Sequence, residues 1–126
     1  MSYHNRFPPT RTQLTSSIGK GENSLQAIVI SLQVSAEFNW PLPTPFHYGD
    51  GRQIVLKPDC HIYNDHLFKD GVIEDDGDSH KSNGQKAWDR RKDEIYEAMN
   101  LWCERMKPKD AKNREKVIEA LGRHRR

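Results

Sequence analysis

At 126 residues, with 34% apolar and 30% charged residues, the chain is long enough for one domain with a single core, and its composition predicts a thin core under a wide polar surface. No apolar run approaches the ~18 residues of a membrane span, and the N-terminus lacks the apolar centre of a signal peptide, so a soluble, cytoplasmic protein with no membrane partner is expected. The formal charge of +2 is small but uneven: acid gathers over residues 70–78, base in Arg90-Arg91-Lys92 and in Arg123-His124-Arg125-Arg126. That distribution suits a polyanion held over a metal, whereas a basic end alone is more often just a solvated tail.

Residues 1–20, with Pro8-Pro9 and no apolar period, read as an extended N-terminal arm. From Glu22 to about Ser35, Leu25, Ile28, Val29 and Leu32 recur at helical spacing, which predicts an amphipathic helix with Glu22 in its first turn, where the helix dipole favours an acid. Asn39 to Pro45 holds three prolines and cannot continue that helix. Phe46-His47-Tyr48, the turn Gly49-Asp50-Gly51 and Gln53 to Leu56 read as a hairpin, followed by an extended piece over Cys60 to Tyr63 and a strand carrying Glu74 and Asp76. A helix over 85–100, a short strand over 101–106 and a last helix from Pro108, with Gly122 as its stop, complete the chain. The expected class is α/β (α+β): a small mixed central sheet of about four strands flanked by helices, in the order α-β-β-β-α-β-α. The domain spans 21–122, with 123–126 as a basic tail.

Chemistry concentrates in Glu74-Asp75-Asp76-Gly77-Asp78-Ser79-His80. Strand side chains alternate, so Glu74 and Asp76 are expected on one face and Asp75 on the other. Two carboxylates on one face repel unless a cation lies between them, and hard oxygen ligands suit a divalent ion such as magnesium. The cysteines Cys60 and Cys103 form no CxxC pair, which argues against structural zinc or a disulfide and predicts reduced thiols.

Taken with Glu22 and Pro58-Asp59, this segment resembles the restriction-endonuclease-like superfamily, whose signature is PD-(D/E)xK, and within it the very-short-patch repair endonucleases and a homing-endonuclease group with an E, D, x, H, D pattern. The resemblance rests on Glu22, Pro58-Asp59, Glu74-x-Asp76-Gly77-x-x-His80 and the Arg- and Asp-rich run Trp88 to Asp93, over roughly residues 20–122. The signature lysine is missing, and Asp76 holds its place.

The resemblance implies a restriction-endonuclease-like core and a metal-dependent DNA endonuclease, a monomer or homodimer, with Glu22, Asp59, Glu74, Asp76 and His80 as the catalytic set. Asp59, Glu74 and Asp76 would hold Mg2+, with Mn2+ as substitute. His80 would move the proton in the lysine's stead. Glu22 would serve as a further ligand or orient that histidine, and Arg90, Arg91, Lys92 and Arg105 would contact DNA.

Each residue also has a plainer role. His80 suits a loop cap, Asp59 a turn after proline, and Arg90, Arg91 and Lys92 a solvated helix face paired with Asp89, Asp93 and Glu94. His47, His61 and His66 are expected at the surface, and Trp40, Trp88 and Trp102 in the core. A calcium loop fails the EF-hand spacing, and an HNH nuclease built on His80 and Asn83 lacks its paired histidines. The rival from another class is a catalytically idle DNA-binding or assembly protein on the same fold.

Overall fold

The computed structural model describes residues 24–77 and 81–126. The first helix, α1, spans Leu25–Ser31. Ser24 caps it by accepting the Ala27 N–H at 3.1 Å, so it starts later than the apolar period suggested. Glu22 lies outside the described residues. The helix stops at Leu32 instead of Ser35 because Gln33 adopts a left-handed φ of 60° and the N–H of Gln33 turns back to the Ile30 carbonyl at 2.9 Å, a helix-ending arrangement that satisfies the last carbonyls.

The strands are β1 (Ala36–Glu37), β2 (Leu42–His47), β3 (Gln53–Leu56), β4 (Cys60–Ile62), β5 (Gly71–Asp75) and β6 (Trp102–Met106). β1, β4, β5 and β6 form a four-stranded sheet in that order; β2 and β3 form a separate two-stranded hairpin. β1–β4 and β4–β5 are antiparallel and β5–β6 parallel, so the central sheet is mixed and four-stranded, as expected. Its membership differs, because the hairpin lies outside it and the two-residue β1, too short for any periodic signal, lies inside. Pro43 and Pro45 are tolerated in β2 because the hairpin is all edge, with an irregular register between Pro43 and His47.

Helix α2 (Asn83–Ala98) is the crossover that returns the chain parallel to β5. It is capped by Ser82 at the Gln85 N–H and ended by Asn100, whose φ is 60°. The N–H groups of Asn100 and Leu101 bond the Glu97 and Tyr96 carbonyls, both at 2.9 Å. After β6 come α3 (Pro108–Ala111) and α4 (Arg114–Gly122), two helices where one was expected. Asn113 starts the second by accepting the Lys116 N–H, and Ile118 stays exposed.

Two cores cover the two faces of the sheet. One packs Leu25, Ile28 and Val29 of α1 and Val117, Ala120 and Leu121 of α4 on Cys60, Ile62, Ile73 and Met106. The other packs Leu42, Ile54 and Leu56 of the hairpin and Ile95 and Tyr96 of α2 on Val72. The basic tail is not free. Lys69 N–H donates to the His124 carbonyl and Arg126 N–H to the Leu67 carbonyl, both at 2.9 Å, and the His124 ring stacks on Trp102 with centroids 4.1 Å apart. Among the described residues no helix is long and apolar enough to cross a membrane.

Candidate functional site

Strand alternation decides what the second face carries beyond its core. Cys60, Ile62 and Ile73 turn to the α1/α4 side and Val72 to the α2 side, so Glu74 follows Val72 toward α2, where it is buried. The pairing Cys60↔Ile73, extended by one residue, sets Asp59 opposite Glu74. Asp59 is fixed there because its Oδ2 accepts the Asp75 N–H at 2.7 Å. The structure thus brings together two of the expected acids, from the start of one strand and the end of its neighbour.

Among the described residues Glu74 accepts from one neutral donor, the buried Tyr96 hydroxyl, at 3.1 Å from Oε1. Burial pushes its carboxyl above the usual range and the Asp59 charge adds to that, while Lys92, Tyr96 and Arg105 pull less strongly in the other direction. The Tyr96 hydroxyl is pushed up in turn, by burial and then by Glu74. Asp75 faces away and is exposed; desolvation and then Asp59 raise its carboxyl.

Asp76 lies just past the strand, with its carboxylate on the α2 side that Glu74 also faces. β5 ends at Asp75, the Asp76 N–H donates to the Met106 carbonyl at 2.7 Å, and the Asp76 carboxylate pairs with the Lys81 ammonium. Lys81 also donates to Asp89 Oδ2 at 2.7 Å with its side chain 14% exposed. Hydrogen bonds to the two acids hold Lys81 above the usual lysine range, and the Lys81 bond holds Asp89 below the usual carboxylate range. A lysine therefore stands at this acidic end although the strand motif lacks one. Sequence reasoning passed over Lys81 because it precedes the helix cap and shares no periodicity with its partner eight residues on.

The basic residues divide. Lys92 turns inward, 3.5 Å from Asp89 Oδ1, and its charge acts on Glu74. Arg105, the register partner of Glu74 in β6, donates to Asp93 Oδ1 at 2.8 Å and to the Asp89 carbonyl at 3.3 Å. Both were expected to contact DNA; in the structure they pair with the protein's own acids, Lys92 with Asp89 and Arg105 with Asp93. Arg90 is exposed and makes no ion pair among the described residues; Arg91 is exposed, 3.9 Å from Glu94. His61, expected at the surface, is buried beside Glu37, with Nδ1 3.6 Å from Oε1, because the middle residue of β4 has sheet on both sides. His80 lies outside the described residues.

Both cysteines are free, as expected; burial pushes the Cys103 thiol up to about 12 and the Cys60 thiol higher, so neither is a reactive thiolate. Among the described residues, no three His, Cys, Asp or Glu side chains gather as a group able to hold a metal ion. Comparison with known proteins returns no match to a family model, a curated protein or a solved structure.

Proposed function

We propose that the chain is a metal-dependent endodeoxyribonuclease that hydrolyses DNA phosphodiesters at the Asp59–Glu74 end of β4 and β5. The observation that carries this reading is Glu74: a buried carboxylate set opposite a second carboxylate, with a neutral hydroxyl as its hydrogen-bond donor. Such an arrangement works against folding, the Lys92 and Arg105 charges offset it only in part, and a bound cation would relieve the remainder. The oxygen-only donors Asp59 and Glu74 fit magnesium, with manganese as substitute. When bound, the ion would polarise a phosphate oxygen and make a coordinated water easier to deprotonate.

Asp76 would join as a third ligand only by giving up Lys81. In the ion-pair arrangement described above, Lys81 and Lys92 supply positive charge beside the two acids, and Arg90 and Arg91 remain available to the flanking phosphates. His80, and Glu22 from the N-terminal side, keep the proton-handling and supporting roles that the superfamily resemblance gives them. The pairing of Asp76 with Lys81, and the lack of a three-acid group among the described residues, favour a second reading, in which a protein of this fold binds DNA without cutting it.

The two readings part on supercoiled plasmid incubated with magnesium or manganese, using the wild type beside Asp59→Ala, Glu74→Ala and His80→Ala. Nicking or linearisation that disappears in the variants supports the nuclease. No cleavage under either metal, with retained DNA binding, favours the idle binder, and cleavage that survives all three substitutions removes this site from the chemistry.

A further inference from the structure

Helix α2 looks two ways. Asp89, Lys92, Asp93 and Tyr96 line the acidic end of the sheet, while Trp88 and Ile95 face the β2–β3 hairpin. On that second side the Tyr48 ring, 37% exposed, stacks on Trp88 with centroids 6.0 Å apart and planes at 25°. The Arg52 guanidinium lies 5.1 Å over Tyr48, and Arg91 lies 5.8 Å from the centre of Phe46. The result is a surface of alternating guanidinium and aromatic groups at the hairpin tip.

Core packing accounts for the inner faces of Trp88 and Phe46. It does not account for the outer ring of Tyr48 or for two arginine side chains that remain 74% and 46% exposed. Their acidic neighbours, Asp50 and Glu94, are themselves more than half exposed, so these pairs are weak and exchange readily for phosphate. Flat π faces beside exchangeable guanidinium groups match the chemistry of unpaired bases joined by phosphates, because every base stacks and every linkage is anionic. A paired duplex hides its base faces and offers only the phosphates.

We infer that this surface binds a single-stranded stretch of DNA, an unpaired base stacking on Tyr48 in place of the Arg52 guanidinium, which moves from over the ring to the adjoining phosphate, so that the substrate is one with unpaired nucleotides beside the cleaved strand. The choice of DNA rests on the nuclease reading; the stacking surface does not. Trp88 and Lys92 are one helical turn apart, about 6 Å along the axis, which brings a strand lying on the aromatic side within a nucleotide or two of the acidic end.

Binding is measured in EDTA by fluorescence anisotropy with a labelled oligothymidylate, its ribose counterpart and a blunt duplex, on full-length protein; plasmid cleavage is scored separately. The single strand is expected to bind more tightly than the duplex. Tyr48→Ala should weaken single-strand binding about tenfold, the loss of one stacked base, with duplex binding changed less than about twofold, and Tyr48→Phe should bind like the wild type because the ring is what matters. Single-strand binding unaltered by Tyr48→Ala, an equal loss on both polymers, or a wild-type preference for duplex overturns the inference. Tighter binding of the ribose strand overturns the assignment to DNA. A protein that binds through Tyr48 but, with magnesium or manganese, cuts neither plasmid nor a duplex carrying a single-stranded extension refutes the nuclease reading and leaves the stacking surface standing.

Discussion

Glu74 and Glu104 stand on adjacent strands of one sheet, where Glu74 pairs in register with Arg105 and Glu104 with Ile73, yet their surroundings are opposite. Glu104 accepts from Arg123 at 2.7 and 3.2 Å and lies 2.6 Å from His124 Nε2; the Arg123 bond is foremost in holding its carboxyl below the usual range. Glu74, more deeply buried, faces a second acid and is pushed the other way. The first arrangement is what stability alone selects: a charge met by charges, closing the C-terminal segment over Trp102. The second costs stability, and that asymmetry is the physical reason for placing function at the Asp59–Glu74 end.

The largest effect expected from breaking this contrast is on activity. Glu74→Gln keeps shape and a hydrogen-bond acceptor for Tyr96 but removes the charge, and should lower plasmid cleavage by about 100-fold or more. It should also raise the melting temperature by a few degrees near neutral pH, on the order of 1 kcal/mol. Because the folded-state carboxyl is raised, its stabilising protonated form is fully present below the ordinary glutamate range and lost as pH rises through the folded pKa. The gain from Glu74→Gln should therefore grow with pH and vanish in mild acid; a melting temperature that falls at every pH would show that the charge is matched after all.

Next in size is Gly71→Ala. A methyl at Gly71 would overlap the Trp102 indole at Cγ, Cδ2 and Cε2, and Trp102 is held from the far side by His124 and by its Nε1–H to the Lys69 carbonyl at 2.7 Å. Denaturant unfolding should register a loss of about 2–3 kcal/mol. A loss under half that would mean that Trp102 and the C-terminal segment over it shift to make room.

A smaller loss, about 1 kcal/mol after solvent screening, is expected for Glu104→Gln. Here the folded pKa is depressed, so the stabilisation is present above the ordinary glutamate range and disappears as pH falls through the folded pKa. Thermal melts of the two glutamine variants should thus diverge with rising pH, one gaining and the other losing, and parallel curves would erase the distinction between the regions. The smallest effect concerns Lys81→Met. Removing the ammonium that competes for Asp76 should tighten magnesium binding by about two- to fivefold in calorimetry; unchanged binding would leave Asp76 outside any metal shell.

Much of this was legible in the residues. The periodicity of Leu25, Ile28 and Val29 is a local signal that was read; the Ser82 cap and the left-handed stop at Asn100 are equally local, set by φ/ψ preferences and side-chain reach within a few residues, and went unread. Asp59 and Glu74 could be matched because an antiparallel pair needs only a turn between them. Asp76 was read as part of the strand, which ends one residue earlier, yet its carboxylate still lies toward the α2 side that Glu74 faces, through Lys81 and Asp89.

What no local rule contains are the contacts closed by topology. The parallel crossover through α2 sets Arg105 beside Asp93 and turns Lys92 toward Glu74; Lys81, just ahead of the helix cap, reaches both Asp76 and Asp89; the last residues fold back so that His124 covers Trp102. These depend on which strand lies beside which, a matter of burying both faces of one small sheet. The sequence by itself determined the longer elements, though not β1 or the break between α3 and α4, together with the polar surface and the acids available for chemistry. The tertiary structure alone decided which charges are neutralised and which are left, because an ion pair between residues far apart in the chain exists only once the core between them has closed.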